Sequence, residues 1–438
     1  MILKYIFTNS IGILISRILG FIRDLFMAAI IGANIYSDIF FVAFKLPNLF
    51  RRIFAEGAFT QVFIPSFAKT NQKIRFSSAI FLSFMTIILI LCLIVTLFSH
   101  LITKLIAYGF DTNTIKLAAP LLAINFYYLI LIFIVTFCAS LLQYKKHFTT
   151  TAFSTSLLNL SLIFTLIIFQ NHKLYDITYY LSYAVLVGGV LQVVVHIIAL
   201  KKYNLLKIFN FKNIKLKQEK FYKKFAQSCI GNSTLQLSTF IDTILASFLI
   251  TGSISYIYYA QRVFQLPLAL FAISSSIALF PIVSRAIKNK DEKKALLLLR
   301  NISIKLFIVL ILASFIGIFF ASDIIKLLFQ RGQFLQSHTN ETSIILIMYL
   351  IGLIPYGIAK IFSLWLYSNN NQLTATKISI KALLFNIIFS LILIKPYGTI
   401  GLALASSLSG FVLLYLLIKD FGFNRAFDLY ISKKTRLK

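Results

Sequence analysis

The sequence predicts an all-α polytopic membrane protein, with about twelve transmembrane helices in two parallel six-helix lobes around a central cationic cavity. Three observations predict it: a series of long apolar stretches, a one-sided placement of lysine and arginine between them, and a motif that recurs in both halves. Hydrophobic residues make up 59% of the 438 residues, the charged four only 13%, and mean hydropathy is +0.87. A soluble domain carries about 25% charged residues, and a disordered chain is poor in apolar ones, so both classes are excluded.

A helix needs about 20 mainly apolar residues to cross the hydrocarbon core. Twelve stretches qualify: 6–31, 36–62, 77–103, 117–142, 150–170, 177–200, 222–250, 256–284, 301–329, 341–368, 376–394 and 398–418. Their apolarity is continuous rather than alternating, which reads as helices and not barrel strands. The first stretch carries Arg17, Arg23 and Asp24 and lacks a cleavage pattern, so it reads as a retained span and not a signal sequence.

Lysine and arginine favour the cytoplasmic side. With the N-terminus inside, that side holds Lys69, Lys73, Arg75, Lys145 and Lys146, nine lysines between 201 and 224, a cluster over 285–300, and a basic tail. The opposite side holds only Lys104, Lys116, Lys173, Arg331 and Lys395. Both termini are therefore expected in the cytoplasm. The domains follow: an N-terminal lobe over 1–200, a basic cytoplasmic linker over 201–224, a C-terminal lobe over 225–418 and a basic cytoplasmic tail over 419–438. The net charge of +30 thus reads as topology beside anionic lipid. The lysine run lacks the interleaved stacking groups of a nucleic-acid site, and no nucleic-acid partner is expected.

The halves echo each other. Asp24 precedes Phe44-Lys45-Leu46-Pro47 and then Phe63-Ile64-Pro65; Asp242 precedes Phe264-Gln265-Leu266-Pro267 and then Leu279-Phe280-Pro281. The Asp-to-Pro spacing is 23 residues in one half and 25 in the other. Six spans per half make the repeats parallel, and transporters built from repeats bind substrate near mid-membrane at the repeat interface. Pro47 and Pro267 each remove a helical hydrogen bond at matching places and predict kinks.

Ionisable residues at membrane depth cost roughly 2.5–3.5 kcal/mol each on insertion scales. The first two spans hold Arg17, Arg23, Arg51, Arg52 and Lys45 against Asp24, Asp38 and Glu56, so positive charge is in surplus. Arg262 lies mid-span with no acid closer in sequence than Asp242. Internal ion pairing explains any one of these residues; the surplus calls for an anionic ligand or water. Guanidinium forks bind phosphate bidentately and stay charged, which suits a phosphorylated or carboxylated substrate. Enzyme chemistry is not visible. The five histidines are scattered, no Gly-rich phosphate loop occurs, and Cys92, Cys138 and Cys229 sit singly in apolar stretches.

The stretch from Ser16 to Asp24 (SRILGFIRD) and the run from Ser37 to Phe59 (SDIFFVAFKLPNLFRRIFAEGAF) resemble the signature of the MurJ (MviN) family of lipid II flippases. Asp242-Thr243-Ile244-Leu245-Ala246-Ser247, Tyr259-Ala260-Gln261-Arg262, Phe329-Gln330-Arg331-Gly332 and Gly401-Leu402-Ala403-Leu404-Ala405 extend the resemblance along nearly the whole chain. It implies the multidrug/oligosaccharidyl-lipid/polysaccharide exporter fold. It also implies transfer of lipid II, or a similar polyprenyl-pyrophosphate-linked saccharide, across a bacterial inner membrane by alternating access. Carried over by position, the cavity arginines are Arg17, Arg23, Arg51 and Arg262, with Asp24, Asp38, Asn48 and Glu56 as further polar functional positions. The family usually has fourteen spans, the last two forming a groove for the lipid tail, where this chain shows twelve. No cofactor is expected beyond a sodium ion. Some relatives use an acid where Asp242 lies and a second acid where this chain carries Asn371, which weakens sodium coupling. An exporter of another lipid-linked saccharide shares the fold and charge, while a cation-coupled drug exporter of the same superfamily would want an acidic cavity.

Overall fold

The computed structural model describes residues 2–52, 58–209 and 219–431, all helix and connecting turns with no strand among the described residues. Among the described residues, eight helical runs are long and apolar enough to cross a bilayer. One of them, Gln372–Phe421, holds two crossings. The remaining three stretches fall on Ile2–Ile30, on the pair Ile35–Phe50 and Ala58–Lys69, and on the Ser/Thr/Asn/Gln-rich Glu219–Ala246, which together recover the twelve. Broad apolar surfaces are exposed, including Leu97, Ile198, Phe319 and Leu327. So many exposed large apolar side chains are costly in water and ordinary against lipid.

The chain forms two compact units, Met1–Gly252 with Arg331–Phe334, and Ser253–Gln330 with Leu335–Lys438. The first contains α1 (Ile2–Ile30), α2 (Ile35–Phe50), α3 (Ala58–Lys69), α4 (Lys73–Leu97), α5 (Ser99–Ile106), α6 (Thr112–Phe126), α7 (Tyr128–Tyr144), α8 (Thr149–Phe169), α9 (Leu174–Lys202) and α10 (Glu219–Ala246). The units divide after Gly252, one helix later than the lysine-rich segment at which the lobes were expected to separate. Of that segment, residues 210–218 lie outside the described residues. Aromatic packing explains the shift. Phe221 and Phe225 of α10 pack edge-on against Phe59 and Phe84, in a cluster that continues through Phe133 and Phe137. Each such ring pair adds about 0.5–1.5 kcal/mol beyond its buried area. Small residues bring the other helices close: a Cβ on Gly12 of α1 would lie 2.7 Å from that of Ala152 in α8.

The second unit contains α11 (Ser253–Pro267), a π-helical turn over Leu268–Ile273, α12 (Ser274–Lys288), α13 (Glu292–Phe319), α14 (Ala321–Phe329), α15 (Gln336–Ile351), α16 (Leu353–Ser368), α17 (Gln372–Phe421) and α18 (Phe423–Ile431). The kink expected at Pro267 is thus a π-helical turn immediately after it. Residues 51–52, following Pro47, are also π-helical. Losing one amide donor lets the ladder slip to a wider register.

Helix α17 runs for 50 residues, at 1.5 Å each far longer than a bilayer is thick. Gly398 breaks it with φ 53° and ψ −128°, and a Cβ on Gly401 would lie 2.2 Å from the Leu393 carbonyl oxygen. Only residues without side chains permit so sharp a reversal. The basic tail expected over 419–438 is in part built into the fold. Residues 419–421 end α17, and α18 follows, its Arg425 paired with Glu292 and stacked on Trp365 and Phe421. Residues 432–438 lie outside the described residues.

Candidate functional site: half-buried arginines and a cavity beside Arg51

Helix α1 sets the first charged pair. Asp24 is 1% exposed and Arg23 12%, and the Arg23 Nη2 donates to Asp24 Oδ1 at 2.7 Å. The fork continues across to α8, where Nη1 donates to Asn159 Oδ1 at 3.1 Å. Asn159 returns its own amide to the Ser16 carbonyl at 3.1 Å. Gly20 lies beside this carboxamide, where a Cβ would sit in ordinary contact 3.5 Å from its nitrogen. A buried carboxylate thus meets a guanidinium that is also hydrogen-bonded across to a neighbouring helix, and such added bonds offset part of the cost of burying the pair. Arg17, on the same helix, is exposed.

Helix α2 begins with a capping box between Asn34 and Ser37. Asp38 follows in the first turn, where the helix dipole favours an anion. Its Oδ2 accepts the Gly252 N–H at 2.7 Å, which ties the turn after α10 to α2. At the other end, Arg51 Nε and Nη2 both reach Asn48 Oδ1, at 3.1 and 2.9 Å. Between them Lys45 is the cation whose charge reaches Asp242 on α10. Asp242 is buried, and its Oδ1 has no hydrogen-bond partner among the described residues. That oxygen fits a cation ligand, although no cluster of three or more His, Cys, Asp or Glu surrounds it among the described residues. Glu56 lies outside the described residues.

Arg51 also lines a cavity of about 270 Å³ built wholly from first-unit residues, among them Thr136, Thr151, Ser154, Thr155 and Gln192. In the second unit, Arg262 lies over the ring of Tyr258, with its guanidinium carbon 4.8 Å from the ring centre and Nη2 donating to the hydroxyl at 2.6 Å. Its neighbour Gln261 donates to the Tyr349 hydroxyl at 2.9 Å and fixes the rotation of α11 against α15. The structure therefore joins Arg23 with Asp24, Arg51 with Asn48, Asp38 with Gly252, and Arg262 with Tyr258.

The family model described as lipid II flippase MurJ matches residues 27–436. The chain belongs to the lipid II flippase MurJ family. Relatives from two Helicobacter pylori strains, each described as a probable lipid II flippase MurJ, are 48% and 49% identical over 428 residues, covering 94% of this chain and 93% of the relative. A relative of the same description from Aquifex aeolicus is 36% identical, covering 93% of this chain and 81% of its own length. A solved lipid II flippase MurJ in an inward closed conformation matches with a TM-score of 0.84 at 28% identity, over 96% of this chain and 89% of that one. An inward-facing multidrug transporter of the MATE family shares the fold, with a TM-score of 0.74 at 12% identity over 96% of this chain and 98% of that one.

Within this MurJ family member, two features were not anticipated from the sequence. Lys360, midway along α16, is a half-buried ammonium with no ion pair or hydrogen bond to any described residue. Its signal was available: a lone lysine in the apolar stretch 341–368. The cavity beside Arg51 had no such signal, because threonine and serine in a span are common and only packing brings those of α3, α7 and α8 together.

Proposed function

We propose that the chain is a lipid-linked precursor flippase that moves the lipid II headgroup from the cytoplasmic to the periplasmic leaflet of a bacterial inner membrane by alternating access. The observation that carries this reading is the family match along nearly the whole chain. The chemistry fits it. Arg23, Arg51 and Arg262 are held by hydrogen bonds or ring stacking, and guanidinium forks suit a pyrophosphate. No bond is made or broken in this process, so the protein works as a transporter and not as an enzyme. Both termini and the 201–224 segment lie in the cytoplasm, and the inside-negative potential favours expulsion of an anionic headgroup by about 2.3 kcal/mol per charge per 100 mV. Asp242 is the residue that would hold a sodium ion if one is used.

The test is complementation of a flippase-depleted strain by Arg262→Ala and Arg262→Lys, with insertion checked by membrane fractionation. A charged hydrogen bond is worth about 1.5–3 kcal/mol, so Arg262→Ala should weaken lipid II binding at least about tenfold. Lys should rescue poorly, since a point charge cannot reproduce the fork. Full growth with Arg262→Ala would remove this residue from the phosphate site. Failure of the wild-type chain to complement would overturn the flippase reading itself.

A further inference from the structure

We propose that the first-unit cavity beside Arg51 receives a neutral saccharide ring of the substrate headgroup, next to the phosphates rather than around them. The inference rests on the flippase reading and adds to it a location and a chemistry for the sugar.

The wall decides the ligand by where its hydrogens go. Each hydroxyl has one hydrogen and two lone pairs. Thr136 donates to the Ile132 carbonyl at 2.8 Å, Ser154 to that of Thr151 at 3.1 Å, and Thr155 to that of Ala152 at 3.3 Å. Ser140 spends its hydrogen on the Thr136 carbonyl at 2.8 Å, so Thr60, 3.0 Å away, is the donor between those two hydroxyls. The Gln192 amide donates to the Ser154 carbonyl at 3.1 Å, while its carbonyl oxygen accepts from Tyr128 at 3.3 Å. The hydroxyls of Thr60, Thr136, Ser154 and Thr155 therefore offer the cavity lone pairs, while the Arg51 guanidinium and the Gln143 amide in the same wall bring donors.

A phosphate only accepts and would leave the hydroxyl lone pairs of this wall unused, whereas ring hydroxyls and an N-acetyl group both donate and accept and so use both kinds of group. Ile132, Val135 and Ala139 give the remaining wall an apolar patch suited to the C–H face of a ring. The volume of about 270 Å³ lies just below the range usual for small-molecule sites, room for one ring and not for a whole headgroup. Arg51 supplies the charged donor of the wall, so ring and phosphate can be bound side by side.

The experiment compares two lipids bound to the full-length chain in nanodiscs: lipid II, and polyprenyl pyrophosphate without sugar. Thr136→Val/Thr155→Val keeps shape and removes two acceptors; Thr155→Phe fills the space from an exposed position. Each variant should weaken lipid II binding about tenfold and leave the sugarless lipid within about twofold of wild type. Thermal unfolding confirms that each variant is folded, and Thr155→Phe decides alone if the double variant is not. Equal losses for both lipids, or unchanged lipid II binding, would overturn the saccharide site. A wild-type chain that binds neither lipid would instead overturn the flippase reading, and this inference with it.

Discussion

The first unit holds Arg23 and Arg51 with carboxylate and carboxamide oxygens, whereas the second holds Arg262 with the ring and hydroxyl of Tyr258. An acid both orients a guanidinium and cancels its charge. A tyrosine orients it and cancels nothing. Lys360, also in the second unit, forms no ion pair with any described residue. The duplicated spans have thus kept a proline and a π-helical turn in common and diverged in how they carry positive charge. Only Arg23 is held by a carboxylate, that of Asp24, while Arg51 and Arg262 are oriented by the neutral oxygens of Asn48 and Tyr258.

The sharpest way to break that contrast is at Asp24. Asp24→Ala leaves Arg23 partly buried without its carboxylate, and removing one partner of a buried pair costs about 3–5 kcal/mol. Thermal unfolding in detergent should show a loss of that size, well beyond the effects expected at Lys360 or Tyr258. Arg23→Gln/Asp24→Asn should recover most of it; no recovery would mean that the pair is not the source. At Lys360 the sign reverses. Lys360→Met removes an uncompensated charge and should raise stability by about 1–2 kcal/mol, while slowing lipid II transfer in vesicles. A Met variant that is no more stable would put Lys360 among paired residues.

A smaller effect is expected at the aromatic clamp. Tyr258→Phe keeps the ring and deletes the 2.6 Å hydrogen bond to Arg262, which should cost about 1 kcal/mol, or roughly fivefold in lipid II affinity. Tyr258→Leu should cost more, because the cation–π contact is lost as well. Equal losses would assign the whole effect to the hydroxyl.

The smallest effect is a pH dependence at the corner between α7 and α8. His147 accepts or donates at both ring nitrogens, to Tyr203 at 2.9 Å and Thr150 at 2.7 Å. Burial, and secondarily the charge of Lys202, holds its pKa below the usual 6.5. The unfolded chain therefore binds the proton more tightly, so stability is fully present above pH 6.5 and declines as pH falls through the window below it. His147→Gln should flatten that slope in a pH series of unfolding midpoints, and a slope unchanged by the substitution would assign it to another group.

Much of this architecture was legible because lipid imposes a length and a polarity that composition records directly. The twelve stretches, the Arg23–Asp24 neighbours and the punctuation at Pro267 could all be read from the order of residues. The attachment of α10 to the first unit could not, since Phe221 and Phe225 look like any span's apolar residues until Phe59 and Phe84 are found across from them. The docking of α18 was hidden for a similar reason: Arg425 reads as one more tail cation, and its partners Glu292 and Trp365 are far away in sequence. The Asp38 bond to the Gly252 backbone was also out of reach, because a backbone amide has no identity in a sequence.

The reversal at Gly398 bears on how the protein is made. Crossings joined by a hydrophilic loop can enter the membrane one after another, each stopping on its own. The two halves of α17 share a single non-helical residue as their joint, with Gly401 pressed against the Leu393 carbonyl. Such a hairpin has no loop to expose outside while it waits for its second arm, so both arms must leave the insertion machinery together. Gly398→Val would then be felt during biogenesis, as chains degraded before they assemble, rather than as a slower transporter in the mature membrane.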